Sequence, residues 1–259
     1  MGDVPGYLDP PPLAFAHRGG AKTAGNVGIE NSLAAFSHAY ALGYRYLETD
    51  VRTTSDGVVY AVHDDRLDRL TGSADAVAAL TSESLDLQRL DQREAFARLE
   101  AIYAAFPDAR LNIDVKSDDA VEATCELVRT LGVADRTCLS SFSHRRLSRI
   151  RALLPEVATS ASSREVAGLK FLPPPLLRLV GRPRGSCVQV PTRRGPITVV
   201  TPRFVRRAHR LGLQVHVWTI DTAEEMHHLL DLGVDGIITD RIDVLKDVLV
   251  ARGTWRDPA

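Results

Sequence analysis

A parallel (β/α)₈ barrel is the fold this sequence predicts, and three observations predict it. Short apolar runs of strand length alternate with amphipathic runs of helix length almost from end to end. Eight such strands can be counted. Polar residues gather on one face of several of them, toward their C-terminal ends. Alternation of this kind argues for a parallel sheet covered by helices, and 259 residues is an ordinary length for one α/β barrel.

The strands read as 13–17, 46–51, 111–116, 137–142, 157–161, 187–191, 214–219 and 236–240. Amphipathic runs at 31–42, 94–106, 119–131, 144–154, 202–211 and 223–232 supply helices, several ending in Gly as helix stops do. A ninth strand pattern, 58–63, follows 46–51 after only the polar RTTSDG. A parallel crossover needs a dozen or more residues, so these two runs must form an antiparallel hairpin turning near Asp56 and Gly57. Residues 65–91 then form a small insertion in a barrel domain spanning 13–250, with 1–12 as a lead and 251–259 as a tail.

Composition excludes several classes of function. With 32 basic and 33 acidic residues, the net charge of −1 gives no global field for nucleic acid or an anionic membrane, so anion recognition must be local. Cys125, Cys138 and Cys187 show no CxxC spacing and read as reduced core residues. The first residues, MGDVPGYLDPPP, lack the basic and apolar regions of a secretory signal, and no apolar run approaches the roughly 18 to 20 residues of a membrane span. A cytoplasmic location is the expectation.

Chemistry concentrates between Ala14 and Asp64. His17 and Arg18 precede Gly19 and Gly20 at a strand end, where glycine permits close backbone approach to a ligand and arginine offers donors suited to phosphate. Glu30, Glu48, Asp50, His63 and Asp64 follow. Two histidines can share acid and base work near neutral pH, and converging carboxylates suit a hard cation. Strand parity puts Glu48 and Asp50 on one face, and Asn112, Asp114 and Lys116 on one face of the next barrel strand. These polar sets should line the barrel interior, with Phe15, His17, His216 and Trp218, near the C-terminal mouth where barrel sites lie.

The segments HRGG at 17–20, IENSLAAF at 29–36, ETDV at 48–51, DGVVYAVHDDRLDRLTG at 56–72, NIDVK at 112–116, SSF at 140–142, VWTID at 217–221 and GVDGIITD at 233–240 together resemble the glycerophosphodiester phosphodiesterases. The resemblance implies a TIM barrel with a small insertion, one divalent cation (Ca²⁺ or Mg²⁺) at the mouth, and hydrolysis of small glycerophosphodiesters to glycerol 3-phosphate and an alcohol. By position it implies His17 and His63 as the acid–base pair, and Glu48, Asp50 and Asp114 as metal ligands. Arg18 and Lys116 become phosphate contacts, Glu30 a neighbour of the metal or the glycerol hydroxyls, and Trp218 an aromatic surface for substrate carbons. The chain departs from the family in having Asp221 where Asn is usual, and Asp114 where Glu is common, which shortens that ligand's reach by about 1.5 Å.

The motifs leave 169–185, LKFLPPPLLRLVGRPRG, unexplained. It carries Lys170, Arg178, Arg182 and Arg184 with no acid, among Phe171 and several leucines. A helix is expected to start near Pro175, leaving 162–174 as a long connection opening on the active-site face. Such a segment suits a lid, an acyl-chain site or peripheral lipid contact. Two alternatives therefore stand beside the small-substrate hydrolase: a lysophospholipase D acting on lysolipids, and a catalytically silent barrel that binds phosphorylated ligands, against which the intact His17, His63, Glu48 and Asp50 argue.

Overall fold

Strand and helix alternate as the periodicity predicts, and the strands close on themselves. In the computed structural model, which describes residues 6–256, the chain runs β1 (Leu13–His17), α1 (Leu33–Ala41), β2 (Tyr46–Thr53), β3 (Val59–Ala61), α2 (Asp68–Thr71), α3 (Ser82–Asp86), β4 (Arg89–Leu90), β5 (Glu94–Ala95) and α4 (Leu99–Ala105). It continues with β6 (Arg110–Val115), α5 (Ala120–Leu131), β7 (Thr137–Ser140), α6 (His144–Leu153), β8 (Ala158–Thr159), α7 (Ser163–Phe171) and α8 (Pro174–Val180). After β9 (Cys187–Pro191), β10 (Arg193–Arg194) and β11 (Ile197–Thr198), it ends with α9 (Pro202–His209), β12 (Gln214–Trp218), α10 (Ala223–Asp231), β13 (Gly236–Thr239) and α11 (Ile242–Ala251). The expected lead and tail extend beyond the described residues at 1–5 and 257–259.

Parallel pairing joins β8, β7, β6, β2, β1, β13, β12 and β9 in that order. One bridge between Ser160 and Cys187 brings the two ends together, with Ala161 N donating to Cys187 O at 2.8 Å. Register carries side-chain parity from strand to strand: His17 pairs with Glu48, Glu48 with Asn112, and Asp50 with Asp114. Leu47, Val51, Leu111, Ile113 and Val115 pack outward into the main core under the helices, so the polar members of β2 and β6 face the barrel interior. At the other end of the barrel, Phe15, Tyr46, Cys138 and Cys187 fill the interior. The lead contributes here, since Tyr7 packs edge-on against Tyr46 and its carbonyl accepts the Tyr46 hydroxyl at 2.9 Å. All three cysteines are buried free thiols.

The hairpin forms as the short connection requires, with β3 antiparallel to β2 and Val51 opposite Ala61. The insertion has its own apolar cluster, including Tyr60, Leu67, Leu70, Val77, Leu85 and Phe96. Two sequence expectations are corrected. The helix expected over 94–106 starts at Leu99, because Asp91 and Gln92 adopt left-handed turns and fold Glu94 and Ala95 back as a ribbon on β4. The connection expected over 162–174 is mostly the helix α7, opened by a capping box in which Ser162 accepts from Glu165 N and the Glu165 carboxylate accepts from Ser162 N. The helix expected near Pro175 is α8, starting at Pro174. Among the described residues no helix is long and apolar enough to cross a membrane.

Candidate active site

The catalytic candidates meet in one cavity of about 540 Å³ at the C-terminal mouth of the barrel, a size suited to a small organic ligand. His17, Arg18, Glu48, Asp50, His63, Asp114, Lys116 and Trp218 all line it. Each arrives by a local rule. β1 and β2 set His17 beside Glu48, with Nε2 3.8 Å from Oε2. The hairpin returns His63 to the level of Asp50, whose carbonyl accepts Val62 N at 2.8 Å. Lys116, one residue beyond β6, places Nζ 2.7 Å from Asp50 and 2.6 Å from Asp114.

Arg18 holds a left-handed backbone at φ 51°, and its N–H donates to the Glu48 carbonyl at 2.9 Å. Its guanidinium reaches Asp50 at 2.8 Å and Glu30 at 3.0 Å. Glu30 does not line the cavity; Arg18 and Arg69 hold its carboxylate. Gly19 and Gly20 serve packing more than ligand approach. Both have positive φ, and a Cβ would come within 2.8 Å of Ala35 on α1 at Gly19 and within 2.7 Å of Ile242 on α11 at Gly20.

Two acids orient the histidines, and sequence reasoning named Asp64 beside His63 but missed Asp240. Asp240 Oδ1 lies 2.6 Å from His17 Nδ1, and Asp64 Oδ1 lies 2.6 Å from His63 Nδ1. A carboxylate only accepts, so each imidazole donates from Nδ1 and keeps Nε2 for other work. Arg69 clamps Asp64 at 2.7 Å, and Lys22 lies 3.2 Å from Asp240. Parity held the signal for Asp240, which continues the inward face of Gly236 and Ile238 just past β13.

The acids differ in proton affinity because their neighbours differ. Burial pushes Glu48 up to about 7, against the pull of His17. Burial also raises Asp114, despite Lys116 beside it. For Asp50 burial acts the same way, but Lys116 and Arg18 outweigh it and hold the carboxyl low. His17 is pulled down by burial and pushed up more strongly by Glu48 and Asp240, so it holds its proton to higher pH than a free imidazole.

As donors, Glu48, Asp50 and Asp114 are the hard oxygens that Ca²⁺ and Mg²⁺ take. Asp114 Oδ1 is buried without a hydrogen bond, as is Asp50 Oδ2, whose contact with Arg18 is an ion pair without hydrogen-bond alignment. Lys116 stands between Asp50 and Asp114. As the side chains stand, no three His, Cys, Asp or Glu groups among the described residues close on one metal position. The donor set therefore fits a hard cation in its chemistry, with Lys116 held on the other carboxylate oxygen of both Asp50 and Asp114.

Away from these groups the cavity turns apolar. Val166 and Phe171 of α7, Ile197 of β11 and Phe142 form its walls, and Trp218 meets Phe142 edge-on at 5.7 Å.

Residues 17–244 match the model of the glycerophosphoryl diester phosphodiesterase family. The chain is 41% identical over 256 residues to the probable glycerophosphodiester phosphodiesterase 2 of Mycobacterium tuberculosis, covering 94% of this chain and 92% of that one. It is 28% identical over 257 residues to the glycerophosphodiester phosphodiesterase of Caldanaerobacter subterraneus, covering 93% and 98%. Among solved structures, one from Silicibacter pomeroyi superposes with a TM-score of 0.78 at 25% identity, covering 96% of this chain and 97% of that one, and supports the same barrel.

Proposed function

Because the chain belongs to the glycerophosphoryl diester phosphodiesterase family and is an enzyme of that class, we propose that it hydrolyses small glycerophosphodiesters to glycerol 3-phosphate and an alcohol, with His17 and His63 as acid and base and one divalent cation, Ca²⁺ or Mg²⁺. The observation that carries this reading is the convergence of both histidines with Glu48, Asp50, Asp114 and Lys116 in one cavity. One imidazole takes the proton of the attacking hydroxyl, either from water directly or from the neighbouring glycerol hydroxyl, in which case a cyclic phosphate forms and water opens it in a second step. The other returns a proton to the leaving alcohol. Asp240 and Asp64 fix the two rings so that this exchange runs through Nε2.

Electrostatics supports the cation. A phosphodiester is an anion, yet the cavity presents three carboxylates, and both Arg18 and Lys116 are already paired with them. Glu48, Asp50 and Asp114 would hold the cation, which supplies positive charge for the developing phosphoryl oxygens. Arg18 and Lys116 then complete the phosphate contact, while Trp218 and Phe142 lie against substrate carbons.

A lysophospholipase D is the second reading, favoured by the apolar walls at Val166, Phe171 and Ile197. A single experiment tests both: turnover of a panel of glycerophosphodiesters and lysolipids, before and after chelation and with Ca²⁺ or Mg²⁺ restored. Cation-dependent release of glycerol 3-phosphate from glycerophosphodiesters is expected. Full activity after exhaustive chelation overturns the cation, and inactivity on every glycerophosphodiester and lysolipid overturns the substrate class.

A further inference from the structure

We propose that the rim of the cavity formed by α7, α8 and the β10–β11 hairpin docks on an anionic lipid bilayer. The first observation is charge. Over residues 163–198, from α7 through β11, the chain has seven Lys and Arg and a single acid, Glu165, although acids outnumber bases slightly over the whole chain. That acid is spent internally on Arg151 and on the backbone N–H groups of Ser162 and Arg184. Arg182, Arg193 and Arg194 are exposed and have no acidic partner among the described residues. The side chain of Arg178 lies outside the described residues.

The second observation is apolar exposure interleaved with that charge. Phe171 is 61% exposed, Leu176 47%, Leu179 81% and Ile197 42%. These side chains project from a seated scaffold. Leu177 of α8 is buried over Gly168 of α7, Lys170 donates to Val199 O at 3.0 Å, and Arg207 donates to Leu172 O at 2.5 Å. The exposure therefore belongs to a folded surface and offers apolar anchors beside cations, the composition that binds an acidic membrane interface. Single-stranded nucleic acid takes a row of stacking aromatics, and among the described residues of α7, α8 and the β10–β11 hairpin Phe171 is the one exposed aromatic.

The third observation is continuity. Phe171, Arg193, Arg194 and Ile197 belong both to the rim and to the lining of the catalytic cavity, so a bilayer seated there faces the mouth of the active site. Docking goes beyond the hydrolytic reading and needs no turnover.

Sedimentation of the full chain with sucrose-loaded vesicles tests the proposal, comparing pure phosphatidylcholine with phosphatidylcholine containing phosphatidylglycerol. Binding to the anionic vesicles, weakened by salt, is expected. Partitioning should fall about fivefold for each arginine removed in the series Arg182→Ser, Arg193→Ser and Arg194→Ser. Leu176→Ser with Leu179→Ser should also lower binding while leaving turnover of a soluble glycerophosphodiester unchanged, since neither lines the cavity. Unchanged turnover also shows that the variant is folded. His17→Ala should bind vesicles as the native chain does, which separates a failure of docking from a failure of the hydrolytic reading. Equal binding to both vesicle types, no binding, insensitivity to both sets of substitutions, or retention on heparin without vesicle binding overturns the proposal.

Discussion

Asp240 holds His17 through a 2.6 Å contact at Nδ1, which leaves Nε2 facing Glu48 at 3.8 Å. His17 is thus clamped between two acids from neighbouring strands. Both also raise its proton affinity. Asp240→Asn keeps the shape of the clamp and removes one charge, so the imidazole should titrate at lower pH. The limb of the pH–rate profile governed by His17 should move toward acid, and kcat should fall about tenfold or more, as part of its acid–base contribution is lost. A profile that keeps both limbs in place, whatever the rate, counts against Asp240 as the residue that sets this histidine.

Removing either imidazole should cost more. His17→Ala and His63→Ala each delete a proton-transfer partner, worth about 10² to 10⁴ in rate. Neither should change the melting temperature by more than a few degrees, because both rings stand at the cavity wall. A folded variant turning over at near the native rate excludes that histidine from the chemistry.

Much of this arrangement was legible in the sequence. Alternation gave the barrel, and period two gave the inward set on β2 and β6, since one face of each strand must be apolar to meet the helices. The shortness of RTTSDG placed His63 beside Asp50 through the hairpin. What stayed hidden depends on contacts between segments distant in sequence. Asp240 reaches His17 across 223 residues, and Arg69 reaches Glu30 from the insertion. The helix α7 was legible in principle from Ser162 and Glu165, three residues apart. The proline signal at 173–175 marks only the start of the next helix, α8.

Cation binding and proton binding should compete at Glu48. Burial raises this carboxyl from its ordinary value near 4.5 to about 7. The folded cation-free protein therefore binds a proton that the unfolded chain has released, between about pH 4.5 and about pH 7. The stability that Glu48 contributes in acid is lost as pH rises through that window. A bound Ca²⁺ or Mg²⁺ favours the ionised form, so the rise in melting temperature on adding cation should grow with pH over the same window, and Glu48→Gln should flatten it. A cation effect independent of pH removes Glu48 from the ligand set.

Gly19, in the turn after His17, should tolerate no side chain. At Gly19 a Cβ meets Ala35 at 2.8 Å, with the backbone at φ +83°. Gly19→Ala should therefore destabilise the fold by more than about 1 kcal/mol, read as a lower midpoint in urea. An unchanged midpoint means that α1 gives way at Ala35.

The last prediction separates small from lipid substrates. Phe171 of α7 and Ile197 of β11 both line the cavity, whereas Leu172 packs partly buried against the main core. Phe171→Ser with Ile197→Ser therefore makes the wall polar without opening the core. Glycerophosphocholine ends where an acyl chain would begin, so its turnover should change little. Its long-chain lysolipid analogue would lose apolar contact over both side chains, each worth about 1.5 to 3 kcal/mol when fully buried. With the lysophospholipase D reading, kcat/KM for the lysolipid should drop at least tenfold relative to glycerophosphocholine. Equal effects on the two substrates leave the small glycerophosphodiester as the substrate and assign the apolar wall to packing.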